Sequence, residues 1–159
     1  MTNTVDQRAP EPVPTAEALV LNCMDHRLLD AVAAYLTGRG LNGRYDQITM
    51  AGAAIGVMAE PMPDWTGTFF QHVALARKLH GIHKVIVIDH RDCGACKAFV
   101  GKDCANDPEK ERAVHAMRME QLADAIKTRE PDLEVELLLM DLDGSVEWVG
   151  GRPTQSIAV

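Results

Sequence analysis

Two short segments of the chain combine cysteine, histidine and aspartate at spacings that suit a metal site. They are residues 23–27 (CMDHR) and residues 89–94 (DHRDCG), and each follows a short apolar run typical of a buried strand. If those strands are neighbours, about 4.8 Å apart, Cys23, His90 and Cys93 converge. Two thiolates and an imidazole form a three-ligand zinc site with one open position, which is the ligand number of catalytic zinc sites.

Asp25 and Arg27 are expected to face the same cavity as Cys23, because residues i, i+2 and i+4 of an extended segment point to one side. Two thiolates already neutralise Zn²⁺, so the metal acidifies its water less than an all-imidazole site does. A carboxylate that accepts the proton of that water in a hydrogen bond helps to orient the nucleophile. Arg27 would keep the carboxylate ionised and fixed in direction. Alternatively, Asp25 binds the zinc itself and closes the site.

The cysteines also allow simpler interpretations. Cys23 and Cys93 could be ordinary buried thiols, since free cysteine is among the most buried residue types. Cys93 and Cys96 have the Cys-x-x-Cys spacing of a redox pair. Cys104 has no partner at metal spacing and is expected to be inert. Overall we expect thiols or metal ligands rather than disulfides, because the chain is predicted to be cytoplasmic.

Several polar residues near the motifs have more than one available role. His26 is either a proton shuttle or a hydrogen-bonding neighbour of the ligand loop. Asp89 ends an apolar strand and would orient a nearby arginine or bond a ligand; the sequence does not choose between these. Asp92 is predicted to cap a helix that begins near Gly94. His115 and the other helix histidines have nothing that distinguishes them from surface or packing residues.

The apolar pattern predicts strands and helices in alternation. Predicted strands are 18–23, 48–51, 84–89, 133–140 and 146–149; predicted helices are 28–36, 69–79 and 108 to about 131; a long loop with room for one short helical turn is expected at 52–68. The last helix is expected to bury a stripe of Val114, Met117, Leu122, Ala125 and Ile126. This alternation predicts an α/β fold with a mostly parallel central sheet of four to five strands flanked by helices. Ligands of such sheets bind at the carboxyl ends of strands, where the strand order reverses.

Composition narrows the function classes. The 159 residues include 16 basic and 23 acidic side chains, a formal net charge of -7, which argues against a nucleic-acid or anionic-membrane binder. The apolar runs are far shorter than the ~20 residues that span a bilayer, and the start of the chain lacks the apolar stretch of a secretory signal. Residues 1–15, with three prolines, are predicted to form a flexible N-terminal arm, either disordered or packed on a partner subunit. Residues 16–159 are predicted to form a single α/β zinc-binding domain.

Taken together, the two motifs resemble those of the β-class carbonic anhydrases. The matching patterns are Cys-x-Asp-x-Arg at 23–27 and His-x-x-Cys-Gly-Ala at 90–95, with Cys23 and His90 separated by 67 positions, and Ala51-Gly52 after the second strand. The resemblance covers roughly residues 17–100. The chain departs from the family pattern at His26, at Asp89 and at Thr49-Met50, so it resembles a divergent member.

The resemblance implies a function as well as a fold. It implies that Cys23, His90 and Cys93 bind Zn²⁺, that Asp25 and Arg27 form the catalytic dyad, and that the backbone N–H of Gly94 lies near the substrate. The implied reaction is the reversible hydration of carbon dioxide by zinc-bound hydroxide to give bicarbonate and a proton, in a homodimer or higher homo-oligomer. One alternative is hydrolysis of carbonyl sulfide or carbon disulfide on the same zinc site. The other is a zinc-binding structural or regulatory protein without turnover.

Overall fold

Five strands form one sheet in the computed structural model, which describes residues 14–150. The strands are β1 (Ala18–Asn22), β2 (Tyr45–Thr49), β3 (Lys84–His90), β4 (Glu134–Met140) and β5 (Val146–Gly150). Their order across the sheet is β2-β1-β3-β4-β5, and β5 alone runs antiparallel to its neighbour. The predicted mostly parallel α/β sheet is therefore confirmed.

The helices lie on both faces of this sheet. They are α1 (Leu29–Gly38), α2 (Ala54–Val57), α3 (Pro63–His80), α4 (Gly94–Phe99), α5 (Asp103–Asn106) and α6 (Pro108–Arg129), and a 3₁₀ turn at His26–Leu28 precedes α1. Helix α6 begins where the sequence predicted, because Pro108 suits a first helical position and the Asp107 side chain accepts hydrogen bonds from Glu109 N and Lys110 N. Within residues 14–150, no helix is both long and apolar enough to span a membrane.

Three predicted elements differ from the structure. The loop expected at 52–68 was predicted to allow one short helical turn, which is the four-residue α2, but it is shorter than expected because α3 begins at Pro63, six residues before the predicted start at Phe69. Strand β2 starts at Tyr45 rather than Ile48. It is the edge strand and only Ile48 is buried in it, so an apolar run does not mark its beginning. Residues 1–13 of the predicted arm lie outside the described residues.

Two apolar layers hold the sheet between the helices. On one face Leu19, Leu21, Val85 and Val87 pack in a cluster with residues of α2, α3 and α6; on the other, Val20, Ile86 and Ile88 pack against α1. The chain leaves β1 toward β2 on one side and returns as β3 on the other side of β1. The strand order therefore reverses between β1 and β3, which is where a ligand site is expected.

Candidate functional site

The three candidate ligands meet at this reversal point. Cys23 directly follows β1, His90 is the last residue of β3, and Cys93 comes three residues later, just before α4. One sulfur or nitrogen atom from each residue lies within 4.8 Å of the others, and all three residues are buried. The structure thus brings together the S, N, S set that the sequence singled out.

The donor chemistry of this cluster fits a thiophilic cation such as zinc. His90 Nδ1 lies 2.8 Å from the Arg91 carbonyl oxygen, which can only accept, so the ring proton is on Nδ1. His90 Nε2 is then a lone-pair donor, and it is buried with no hydrogen-bond partner among the described residues. An unpartnered imidazole nitrogen beside two cysteine sulfurs is the arrangement that a metal ion completes.

Gly52, next to the cluster, cannot be replaced by a larger residue without strain. Gly52 adopts a φ of +79°, and its N–H donates a hydrogen bond to Cys23 Sγ at 3.2 Å. A Cβ atom at this position would lie 2.8 Å from the Cβ of Ala95, closer than carbon atoms approach. The loop after β2 is therefore held against the cluster by both backbone conformation and space.

The two thiols of the cluster shift each other's pKa in opposite directions. The hydrogen bond from the Cys93 thiol is the main cause that lowers the pKa of Cys23 to about 4. Burial opposes this shift, and His90 and the Gly52 N–H assist it. The same hydrogen bond, with burial, raises the pKa of Cys93 above its usual range. Burial disfavours the charged form of His90, but the adjacent Cys23 sulfur outweighs it and raises the pKa of His90. A divalent cation would replace the protons of these groups, since metal ligands bind as thiolate and neutral imidazole.

Asp25 and Arg27 form a close pair at the edge of the cluster. The Asp25 carboxylate accepts hydrogen bonds from Arg27 N at 3.0 Å, from Nε at 3.0 Å and from Nη2 at 2.7 Å. The Arg27 guanidinium therefore holds the pKa of Asp25 well below its usual range. Asp25 Oδ2 lies 3.8 Å from His90 Nε2, so an ionised carboxylate stands beside the candidate metal position.

Asp92 does not cap α4, contrary to the sequence prediction. Cys93 is the N-cap residue and makes no side-chain capping bond. Asp92 has a φ of +57°, and its Oδ2 accepts a hydrogen bond from Arg27 Nη1 at 2.8 Å, while Lys97 pairs with its other oxygen. The residue that was expected to begin a helix instead anchors the far side of the Arg27 guanidinium.

The remaining predicted site residues lie around the cluster entrance. Gly94 is exposed at the first position of α4, where the N–H groups of a helix have no intrahelical partner. The His26 side chain is 91% exposed, and its Nδ1 lies 3.9 Å from Asp25 Oδ1. A separate cavity of about 600 Å³ is lined by Met24, Ile48, Thr49, Met50, Ala51, Trp65, Thr68 and His72.

Sequence reasoning missed the partners of Asp89. This carboxylate is fully buried and accepts a hydrogen bond from Ala54 N at 2.9 Å, and its other oxygen lies 2.7 Å from His115 Nδ1. Burial raises the pKa of Asp89, against the hydrogen bonds that lower it. The prediction that His115 is an undistinguished histidine is wrong. It belongs to the buried face of α6, which consists of Glu111, His115, Met119, Leu122 and Ile126.

The spacing of this face is a sequence signal for His115, although it does not decide which face of the helix is buried. Its members recur at intervals of three and four residues, as an amphipathic helix requires. The predicted stripe included Met117, which is 45% exposed.

One cysteine prediction is wrong, and one alternative interpretation is not realised. Cys104 has a partner, because the structure joins it to Cys96 in a disulfide. Cys93 is a free cysteine, so the Cys-x-x-Cys pairing of Cys93 with Cys96 is not formed. The expectation of thiols or metal ligands in place of disulfides therefore fails for one pair and holds for Cys23 and Cys93.

Comparisons with known proteins bear on the family and the fold of the chain. A family model described as "Putative carbonic anhydrase" matches residues 14–150. An uncharacterized protein of Rickettsia conorii is 34% identical over 139 residues, 87% of this chain and 75% of that protein. An uncharacterized protein of Rickettsia bellii is 31% identical over 137 residues, 86% of this chain and 84% of that protein. The fold is similar to that of a tetrameric β-carbonic anhydrase from Sordaria macrospora, with a TM-score of 0.56 and 16% identity over 86% of this chain and 82% of that one.

Proposed function

Because the chain belongs to the β-class carbonic anhydrase family as a divergent member, we propose that it is a zinc-dependent lyase that hydrates carbon dioxide reversibly to bicarbonate and a proton. One observation carries the proposal: a buried S, N, S cluster stands beside a carboxylate that an arginine holds in place. This arrangement combines a site for a Lewis acid with a positioned proton acceptor.

Cys23, His90 and Cys93 would hold the zinc ion. When bound, zinc supplies the Lewis acidity that makes a water molecule nucleophilic near neutral pH. The hydrogen bond from Gly52 N to Cys23 Sγ stabilises negative charge on that sulfur, and the Arg91 carbonyl fixes the His90 ring with Nε2 toward the cluster. The chain therefore presents its donor atoms in the form that the metal requires.

Asp25 would accept the hydrogen bond of the attacking water and so orient its lone pair toward the substrate. The carboxylate suits this role because the pairing with Arg27 keeps it ionised. Arg27 also keeps the carboxylate in one orientation, through three hydrogen bonds on one side and Asp92 on the other. A carboxylate held in this way is restrained from swinging onto the metal and closing the site.

An uncharged linear substrate suits the surroundings of the cluster. Met24, which lies between Cys23 and Asp25 in the sequence, lines an apolar cavity together with Met50 and Trp65, and such a lining favours carbon dioxide over an ion. The exposed N–H of Gly94 is a free donor for a substrate oxygen. His26, exposed beside Asp25, would pass the released proton to buffer.

The proposal includes a homodimer or higher homo-oligomer in the cytoplasm. The likeness to a protein that is described as tetrameric supports the assembly. Strand β2 supports it as well, because it is an edge of the sheet and stands next to the apolar cavity. Light scattering of the purified chain at micromolar concentration measures the assembly directly, and a monomer would contradict this part.

The test compares zinc content with carbon dioxide hydration in stopped flow, using chain in which the Cys96–Cys104 disulfide is intact. We expect about one zinc per chain and measurable hydration in the unmodified protein. Cys93→Ser and His90→Gln are expected to lose zinc and hydration together. His83→Gln, at an exposed position, is the matched control and should keep both.

Three results would overturn the proposal. Full zinc content without hydration would remove the activity and favour a structural or regulatory zinc protein. Hydrolysis of carbonyl sulfide or carbon disulfide that exceeds carbon dioxide hydration under the same conditions would change the substrate. Cys93→Ser with unaltered zinc content and hydration would exclude the cluster as the active site.

A further inference from the structure

A second group of metal-ligating side chains lies in the layer between α4, α5 and α6. Cys96, Cys104 and His115 each place one ligand atom within 4.8 Å of the other two. Their exposed fractions are 1%, 2% and 0%. Neither the proposed reaction nor its zinc ligands use any of the three.

The orientation of His115 is fixed in the way that protein metal sites fix a histidine ligand. The Asp89 carboxylate lies 2.7 Å from His115 Nδ1 and is itself held by the N–H of Ala54. A ring nitrogen bonded to a carboxylate leaves the opposite nitrogen to face a ligand, as in the carboxylate–histidine–metal arrangement. In His115 that opposite nitrogen is Nε2.

His115 Nε2 is buried and has no hydrogen-bond partner among the described residues. Buried polar atoms in proteins are almost always paired, so an unpaired one calls for an explanation. The neighbouring Cys96–Cys104 disulfide has no proton to donate and gives this nitrogen no partner. The unpaired nitrogen therefore indicates that Cys96, Cys104 and His115 also adopt a second state, in which Nε2 of His115 has a partner.

We propose that the chain, once this disulfide is reduced, binds a second thiophilic cation through the thiolates of Cys96 and Cys104 and through Nε2 of His115. A small dithiol supplies the two electrons and two protons of the reduction and is itself oxidised to its disulfide. Each freed thiol loses its proton when the cation binds. The described side chains supply three ligands, which leaves one position of a tetrahedral ion for water.

The backbone geometry accommodates both states. The Cα atoms of Cys96 and Cys104 are 6.1 Å apart, within the range of ordinary disulfides. Two sulfurs at 2.3 Å from a tetrahedral zinc ion are about 3.8 Å apart, so rotation of the side chains must separate them after reduction. Soft thiolate ligands select zinc or monovalent copper over magnesium or calcium.

Zinc is the probe, and metal content per chain is the readout. Protein with the disulfide intact and protein reduced with a dithiol are loaded with zinc, desalted and analysed for metal and for free thiols. We expect the metal content to rise from about one zinc per chain in the oxidised form to about two in the reduced form. His115→Gln and Cys104→Ser are expected to hold about one zinc in both forms, while the control His83→Gln behaves like the unmodified chain.

A variant without the first site separates this proposal from the proposed function. Cys93→Ser is expected to take up about one zinc when reduced and none when oxidised. Cobalt loading of the same reduced variant should give thiolate-to-metal charge-transfer absorption, which His115→Gln in that background weakens. Circular dichroism checks that each variant is folded.

The proposal is overturned if reduction frees both thiols but the zinc content of the unmodified chain does not rise. In that case the reduced thiols serve only as hydrogen-bond donors to His115. It is equally overturned if the added zinc is retained by His115→Gln and Cys104→Ser. The unmodified chain carries this test even if Cys93→Ser fails to fold.

Discussion

Replacing Asp25 by asparagine tests the proposed mechanism most directly, because the change removes a charge and an acceptor but keeps the shape of the side chain. The carboxylate now accepts three hydrogen bonds from Arg27, at 3.0, 3.0 and 2.7 Å. An amide has one acceptor oxygen and one NH₂ group. The substituted side chain would therefore either leave Arg27 donors unpaired or turn its NH₂ group toward the cluster, where the mechanism needs an acceptor.

The expected size of the effect follows from that lost acceptor. A positioned group that takes a proton in the transition state contributes about 10²–10⁴-fold to the rate. Each factor of ten corresponds to about 1.36 kcal/mol, so the barrier to hydration should rise by about 3–5 kcal/mol. Zinc content should not change, because Cys23, His90 and Cys93 all remain.

Stopped-flow hydration and metal analysis on the same preparation check both expectations. Asp132→Asn, at an exposed position, is the matched control for loss of a carboxylate and should behave like the unmodified chain. If Arg27 acts through Asp25, the double variant Asp25→Asn with Arg27→Met should be about as slow as Asp25→Asn alone. Hydration within about threefold of the unmodified rate at full zinc content would refute the role of Asp25.

Two further predictions concern the frame around the cluster. Gly52→Ala should lower the free energy of unfolding by about 2–5 kcal/mol, from its left-handed backbone and from overpacking against Ala95. Gly67→Ala, whose added Cβ meets nothing within 4 Å, should instead raise the free energy of unfolding by about 0.5–1 kcal/mol. Urea unfolding measures both variants, and an equal loss of stability in the two would contradict this reasoning. Arg27→Met should raise the pKa of Asp25 toward the ordinary value of about 4, measured by carboxyl NMR. In the unmodified chain, the lowered pKa of Asp25 stabilises the folded state at pH values above the ordinary carboxyl pKa, and this stabilisation is lost as the pH falls through the lowered pKa. An unchanged pKa of Asp25 in Arg27→Met would contradict the pairing of the two residues.

Much of the candidate site could be predicted because its information is local. Cys23 and His90 stand at the ends of short apolar runs, and a β-branched run such as residues 84–88 is typical of a buried parallel strand. Asp25 and Arg27 are two residues apart, so their pairing depends on little beyond the local backbone. Alternating strands and helices also determine the handedness of the crossovers, which limits the sheet to few topologies.

Other features could not be predicted, because they depend on which helices pack together. His115 is buried only if α6 packs on the sheet with one particular face. The apolar pattern of α6 was also compatible with another face, which includes Met117. The loop after β2 carries glycines and prolines that are typical of irregular structure, yet Pro63 begins a helix there.

The sequence by itself determined the mostly parallel sheet and placed Cys23, His90 and Cys93 at the carboxyl ends of strands, because strand positions follow from short-range apolar patterns; the structure then showed that β1 and β3 are neighbours. Only the tertiary structure decided that Asp89 bonds His115 and that Cys96 lies against Cys104. These contacts join β3, α4, α5 and α6 across sequence separations that no local preference specifies. Burial of the helices against the sheet brings the groups together, and the same burial obliges each polar atom to find a partner.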